Sequence, residues 1–177
     1  MGTLGTASAN PTRAFFVRML TRDIALEDCI LDLLDNSVDG AWSLEGGRPL
    51  TLGDTTNLSE YSIKIELTPE KFIIHDNCGG ISLDDAAAYA FTFGRSEDAD
   101  TDSFSIGIYG IGMKRAIFKL GRKINIRSTY KDASGNLQSF RVPIDVDTWV
   151  SGPNENNWDF DIEPDEPLAE PGVRIEI

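Results

Sequence analysis

One amphipathic helix, predicted to extend to about Leu44, limits what this chain can fold into more than any other feature. At about 100° per residue, a polar stripe less than a third of a turn wide collects five side chains: Asp28, Asp32, Asp35, Asn36 and Asp39. The opposite face is apolar and carries Ile30, Leu34, Val38 and Ala41. Asp23 is placed to cap the helix N-terminus. Because neighbouring carboxylates repel one another, the stripe requires water or a cation beside it.

Composition narrows the class of protein. A chain of 177 residues with 41% hydrophobic content predicts one globular domain with a substantial core. The net charge of -13 argues against direct nucleic-acid binding, which needs clustered Lys and Arg. No apolar run reaches membrane-spanning length and the start does not read as a secretory signal, so we expect a cytoplasmic protein without membrane contact. Cys29 and Cys78 form no CxxC pattern, which argues against a disulfide scaffold or a zinc site.

The order of the predicted elements indicates an α+β fold. Residues 1–11 read as a flexible leader and residues 12–177 as the domain. Strands pair as hairpins rather than alternating with helices, which favours helices on one face of a mostly antiparallel sheet. The predicted helices cover about 12–22, 23–44, 82–91 and 112–121, and the strands cover 61–67, 71–76, 123–130, 137–144 and 172–177. Residues 94–105 read as a mobile acidic loop, and 146–171 as a surface excursion without assigned chemistry.

Three segments carry the chemistry. The first is the Asp and Asn face of the long helix, the second is HDNCGGIS after a strand, and the third is GIYGIG before a helix. Glycines let the backbone approach a ligand closely, and a helix N-terminus offers unpaired N–H groups that suit phosphate. Lys114 would add a full positive charge, and an Asn or Asp oxygen of the helix face would hold Mg²⁺ against the same phosphates.

Each segment taken alone also has an ordinary structural explanation. Glycines serve turns and tight packing, an acid after a strand caps turns, and a polar helix face is commonly solvated. The spacing GxxGxG differs from the dinucleotide fingerprint, and neither a P-loop nor a kinase signature is present. The alternative that the chain binds no nucleotide therefore stays open at this level.

In this order and spacing, DLLDNSVDGA, DNCGGI and GIYGIGMK resemble the motifs of the GHKL ATPase superfamily, which includes gyrase, heat-shock chaperones of the ninety-kilodalton class, histidine kinases and MutL. GVRIEI resembles its closing strand. The resemblance covers most of the chain from Ala25 onward and is nearest to the chaperone- and gyrase-like branches. It implies the Bergerat fold, a two-layer α+β sandwich with a mostly antiparallel mixed sheet, and it implies ATP and Mg²⁺ as ligands.

The resemblance also implies roles for individual residues. Asn36 would ligate Mg²⁺, Asp39 would line the pocket near the nucleotide, and Asp76 would accept a hydrogen bond from the adenine amine, which guanine lacks. Gly80 and Ile81 would let the adenine ring pack closely. The phosphates would be cradled by Gly107, Gly110, Gly112 and Lys114. Residues 94–109 would form a lid that is ordered when ATP is bound.

Four positions depart from the family pattern. Asp32 stands where the hydrolytic Glu is usual, one helical turn before Asn36, and its shorter side chain predicts slow hydrolysis. Cys78 replaces the first glycine of DxGxG, and Gly40 stands where Ala is common. Val173 stands where a Thr often helps to hold adenine, so weaker adenine affinity is expected.

Two functions follow from the resemblance. In the first, the domain is the slow ATPase head of a longer protein, in which ATP closes the lid, drives a conformational or dimerisation switch through the lid region, and acts on a downstream transducer or effector domain. In the second, it is a nucleotide-gated interaction module with negligible hydrolysis. A histidine kinase catalytic domain is a weaker third reading, because that branch usually lacks a carboxylate at the base position. The client and the pathway cannot be deduced from the sequence.

Overall fold

The computed structural model describes residues 5–7, 9–47, 57–93, 111–153 and 157–177. Within them the helices are α1 (Arg13–Thr21), α2 (Leu26–Leu44), α3 (Leu83–Asp85), a π-helical segment (Ala86–Ala90), α4 (Gly112–Leu120) and α5 (Val146–Ser151). The strands are β1 (Ile63–Leu67), β2 (Phe72–Asp76), β3 (Lys123–Lys131), β4 (Leu137–Asp145), β5 (Glu163–Pro164) and β6 (Gly172–Glu176). None of the helices in these ranges has the length and apolar character needed to span a bilayer.

The strands of the described residues form a single sheet in the order β1-β2-β6-β3-β4-β5. Every pairing is antiparallel, and β1–β2 and β3–β4 are the two predicted hairpins. The closing strand β6 lies between these hairpins, with Ile175 opposite both Ile74 and Ile126. The predicted α+β class with an antiparallel sheet is therefore confirmed.

Helix starts depend on local capping. Thr12 caps α1, because its side chain accepts a hydrogen bond from the Phe15 amide at 3.2 Å. The predicted cap of α2 is wrong: the N-cap residue is Ala25, which makes no side-chain cap hydrogen bond. Asp23 lies two residues too early to reach the first turn and pairs with Arg22 at 3.3 Å instead.

The α2 helix buries a different line of side chains from the predicted one. Cys29, Leu33, Ser37 and Ala41 are buried, whereas Val38 is only partly covered. This line is rotated from the predicted apolar face toward the polar stripe, because α2 packs against both the sheet and α4. Asp32, Asp35 and Asn36 of the stripe consequently border a cavity, whereas Asp28 is exposed to solvent.

The described part of residues 146–171, which the sequence predicted to be a surface excursion without assigned chemistry, helps to complete the core. The Trp149 ring stacks on Phe118 with centroids 5.8 Å apart. Buried Arg13 donates to the Gly152 carbonyl at 2.8 Å and lies 5.4 Å from the centre of the Trp149 ring. The segment thereby ties α5 to α1, and β5 adds a short edge strand beside β4.

Candidate functional site

A cavity of about 320 Å³ lies between α2, the loop after β2, β6 and the N-terminus of α4. Asn36, Asp76 and Gly112, which come from the three sequence motifs, all border it. Of the other predicted site residues, the cavity walls include Asp32, Gly80, Ile81 and Val173. The three motifs therefore meet at one place.

Asp76 is the most constrained polar side chain of the cavity. It is 6% exposed, and its Oδ2 accepts a hydrogen bond from the Ser37 hydroxyl at 2.6 Å. Its Oδ1 accepts from the Cys78 amide at 3.0 Å and from the Val173 amide at 3.1 Å. A carboxylate offers about four acceptor positions, so these three donors leave roughly one for a ligand. A buried acceptor of this kind selects a ligand that brings an N–H donor.

The loop after Asp76 is fastened to β3. Gly80 has a φ of +75°, and a Cβ there would overlap the Thr129 carbonyl oxygen. The Ile81 amide donates to the buried Ser128 hydroxyl at 2.7 Å, and that hydroxyl donates to the Ile81 carbonyl at 2.8 Å. A glycine is therefore required at position 80 because the loop packs directly against β3. This contact fixes the position of the loop as one wall of the cavity.

Cys78 forms an apolar part of the same wall. Burial, followed by the charge of Asp76, raises the pKa of its thiol to about 11, so the thiol stays protonated at neutral pH. A Cβ at Gly40 would lie 2.7 Å from the Cys78 carbonyl oxygen, which is too close. Gly40 thus lets α2 approach this loop.

The α2 side of the cavity is acidic and carries the predicted metal ligand. Asn36 is exposed, and its amide nitrogen donates to the Asp32 carbonyl at 2.7 Å, which turns its amide oxygen the other way. Burial, followed by the charges of Asp32 and Asp39, raises the pKa of Asp35. This part of α2 therefore carries an excess of negative charge, which a bound cation would stabilise.

The described residues contain no cluster of three or more His, Cys, Asp or Glu side chains suited to a metal. Mg²⁺ does not need one, because it keeps several waters and commonly takes one or two protein ligands together with phosphate oxygens. A single carboxamide oxygen beside an acidic helix face therefore fits Mg²⁺ accompanied by a nucleotide. Asp39 is not among the described residues that border the cavity.

Asp32, the predicted base, is bound to a cation. Arg115 of α4 donates from Nε to Oδ2 at 2.7 Å and from its terminal nitrogen to Oδ1 at 3.0 Å. The hydrogen bond to Asp32 raises the pKa of Arg115, so the guanidinium stays charged. A Cβ placed on Gly112 would lie 3.5 Å from the Asp32 carboxyl carbon, so the pair adjoins the N-terminus of α4.

Lys114 points away from the cavity. The residue is 1% exposed, its ammonium donates to the Thr92 carbonyl, and the Phe93 ring centre is 5.8 Å from the ammonium nitrogen. A contact with phosphate would require the side chain to leave this position. The predicted phosphate glycines Gly107 and Gly110 and the predicted lid, residues 94–109, lie outside the described residues.

Two contacts of this site, made by Ser37 and Arg115, were not predicted by sequence reasoning. Ser37 follows Asn36, and its small hydroxyl side chain interrupts the buried line of α2, which is the signal that could have pointed to an internal partner. Arg115 follows the predicted phosphate glycines, and from the sequence it was considered only as a weakly supported phosphate contact. The packing of α4 against α2 shows that it faces Asp32 instead.

Comparison with known proteins agrees with this geometry. The family of histidine kinase-, DNA gyrase B-, and HSP90-like ATPases matches residues 24–160, which include α2, the loop after β2 and α4. No curated protein matches the chain. Since the match covers well over half of the sequence and contains the three motifs that meet at the cavity, the chain belongs to the histidine kinase-, DNA gyrase B- and HSP90-like ATPase family.

Proposed function

We propose that this domain binds ATP with Mg²⁺ in the cavity and hydrolyses it slowly. The observation that carries the proposal is the buried Asp76 carboxylate, which keeps roughly one acceptor position for a ligand and shares its cavity with Asn36 and the N-terminus of α4. Adenine offers an exocyclic amine where guanine offers a carbonyl, so the site favours adenine.

The remaining parts of the nucleotide find matching chemistry at the other end of the cavity. Free N–H groups at a helix N-terminus suit phosphate oxygens, and α4 begins at Gly112 on the cavity wall. Asn36 would hold Mg²⁺, which supplies charge neutralisation to the phosphates when it is bound. Asp32 would accept the proton of the attacking water.

Resemblance to the chaperone- and gyrase-like branches supports ATP-driven closure of residues 94–109, a homodimer, a downstream effector domain and a cytoplasmic location.

Calorimetry tests the binding proposal. We expect Mg²⁺-ATP and Mg²⁺-ADP to bind to the native chain and Mg²⁺-GTP to bind at least about tenfold more weakly, because one unpaired buried acceptor costs about 1–3 kcal/mol. Asp76→Asn should lose adenine binding, since its amide presents a donor to the adenine amine. Asp84→Asn, an exposed acid on α3, is the matched control. Equal binding of ATP and GTP, or full binding by Asp76→Asn, would contradict the proposal.

A second candidate is an interaction module that binds ATP without appreciable turnover. It is favoured by the Arg115 guanidinium on both oxygens of Asp32. Phosphate release by the native chain, Asp32→Ala and Asn36→Ala separates the two candidates. A native rate no higher than that of Asp32→Ala would replace the ATPase with the nucleotide-gated module, and both would fail if no nucleotide binds.

A further inference from the structure

Arg115 contacts both carboxylate oxygens of the proposed base. Its planar guanidinium meets both carboxylate oxygens of Asp32, at 2.7 Å and 3.0 Å, in the two-pronged arrangement that suits an arginine and a carboxylate. The Asp32 side chain is 19% exposed and that of Arg115 is 40% exposed, so the pair lies at the edge of the cavity and is partly shielded from water.

This pairing bears directly on the chemistry expected of Asp32. In hydrolysis the water oxygen bonds to the γ-phosphorus, the bond from that phosphorus to the bridging oxygen of ADP breaks with its electron pair leaving on ADP, and Asp32 takes the proton released by the water. A carboxylate that already accepts two charged hydrogen bonds has fewer lone pairs for the water. The adjacent positive charge also opposes the arrival of a proton.

We propose that Arg115 is a positioning residue that restrains Asp32 and thereby limits the rate of ATP hydrolysis. The proposal rests on the proposed function, because it takes Asp32 to be the base. It assigns slow turnover to a specific contact in addition to the shorter side chain of Asp. Arg115 acts on the rate through Asp32 and not through nucleotide affinity, so removing it should raise kcat and leave KM nearly unchanged.

If Arg115 and Asp32 formed a purely structural ion pair, removing Arg115 would not raise kcat. Partly exposed pairs contribute about 0–1 kcal/mol to stability, and their loss changes packing without raising a reaction rate. The Arg122–Asp147 pair supplies a matched control, because Arg122 also donates to one carboxylate, from Nε at 3.0 Å, but lies outside the residues that border the cavity. Arg122→Gln removes the same charge without touching Asp32.

The experiment measures steady-state phosphate release with Mg²⁺-ATP for native chain, Arg115→Gln, Arg115→Lys and Arg122→Gln. We expect kcat to rise roughly tenfold in Arg115→Gln, a modest part of the effect that general bases provide, with KM within about twofold of native. Arg115→Lys keeps the charge but loses the two-pronged geometry and should fall between native and Arg115→Gln. Arg122→Gln should match the native chain.

The same substitutions in an Asp32→Asn background test whether Arg115 acts through Asp32. There, Arg115→Gln should give no gain in kcat, because the proposed base is already absent. An unchanged or lower kcat in Arg115→Gln, or a gain that persists with Asp32→Asn, would overturn the inference.

Calorimetry with Mg²⁺-ATP on each variant separates this failure from that of the proposed function. If the native chain does not bind Mg²⁺-ATP, both the proposed function and this inference are wrong. If it binds Mg²⁺-ATP but Arg115→Gln shows no increase in kcat, only the inference is wrong. Urea unfolding of the single and double variants at Arg115 and Asp32 supplies a readout that needs no nucleotide: a favourable coupling between the two residues is expected, and its absence would count against the pair itself.

Discussion

At the scale of single residues, the proposed ligand specificity of the cavity depends on how Asp76 is held. Its donors come from α2, from the loop after β2 and from β6, so the carboxylate cannot rotate without breaking buried hydrogen bonds. A buried acceptor that loses a donor costs more than an average hydrogen bond contributes. Ser37 is the only one of the three donors that is a side chain, and it can be removed without altering the backbone.

Ser37→Ala should therefore weaken both the fold and the site. We expect the free energy of unfolding to fall by about 1–3 kcal/mol, because Oδ2 of Asp76 is left without its 2.6 Å donor. Affinity for ATP should also fall, since the carboxylate is less firmly oriented. Urea unfolding and calorimetry measure the two effects. Ser43→Ala, an exposed position on the same helix, should change stability by less than about 0.5 kcal/mol, and an equal effect of both substitutions would argue against this role.

The residues that belong to the site were easier to predict from the sequence than the contacts that those residues make. Asn36, Asp76 and Gly112 were predicted as parts of one site because three motifs resemble those of a known family, and all three residues border one cavity. The contact between Asp32 and Arg115 joins residues 83 positions apart and depends on how two helices pack, which no local pattern encodes. The same limit applies to Lys114, whose partner Thr92 is 22 positions away.

At the scale of elements, the link between the Gly80 loop and β3 fixes one wall of the cavity. Two hydrogen bonds join Ile81 to Ser128, and Gly80 approaches the Thr129 carbonyl more closely than any side chain would allow. A displaced loop would move Asp76 relative to α2. The wall is thus set by contacts between the backbone of this loop and β3.

Two glycine substitutions separate backbone strain from this contact. Gly80→Ala and Gly135→Ala both place a side chain at positive φ, +75° and +81°, but a Cβ at Gly135 meets nothing within 4 Å. Gly135→Ala should cost about 1–2 kcal/mol from strain alone. Gly80→Ala should cost at least about 2 kcal/mol more and reduce ATP binding. Equal losses of stability in urea unfolding would show that the close approach to Thr129 is unimportant.

Elements were predicted well where their pattern is periodic and less well where tertiary packing decides. The hairpins of β1–β2 and β3–β4 follow from alternating residues and turn signals. The buried line of α2 departs from the predicted one because α4 covers a second side of the helix. The two-residue strand β5 has no periodic signal at all and exists only as an edge beside β4.

At the scale of the whole molecule, one histidine gives a specific pH dependence. The chain contains a single His, and burial followed by the positive charge of Arg174 lowers the pKa of His75 below its ordinary 6.5. The folded state therefore binds this proton less readily than the unfolded chain does. The stability that His75 contributes is fully present above its unfolded pKa of about 6.5 and is lost as the pH falls through its folded pKa.

We expect the free energy of unfolding to decrease between about pH 7.5 and pH 5.5 in the native chain, and to decrease less in His75→Gln. Urea unfolding at each pH measures the difference, which isolates His75 from the carboxylates that both chains share. The result would be contradicted by the same pH dependence in both chains, or by a steeper one in His75→Gln.

The central position of β6 has a consequence for how the molecule is made. Of the six described strands it is the last in sequence, yet it separates the two hairpins and supplies the Val173 amide that fixes Asp76. While the polypeptide is being synthesised, both hairpins can form on the ribosome, but the gap between them stays unfilled until residues 172–176 emerge. Long-range closure of this kind slows folding. Nucleotide-binding capacity would therefore arise abruptly, once residues 172–176 have joined the sheet, rather than gradually as the chain lengthens.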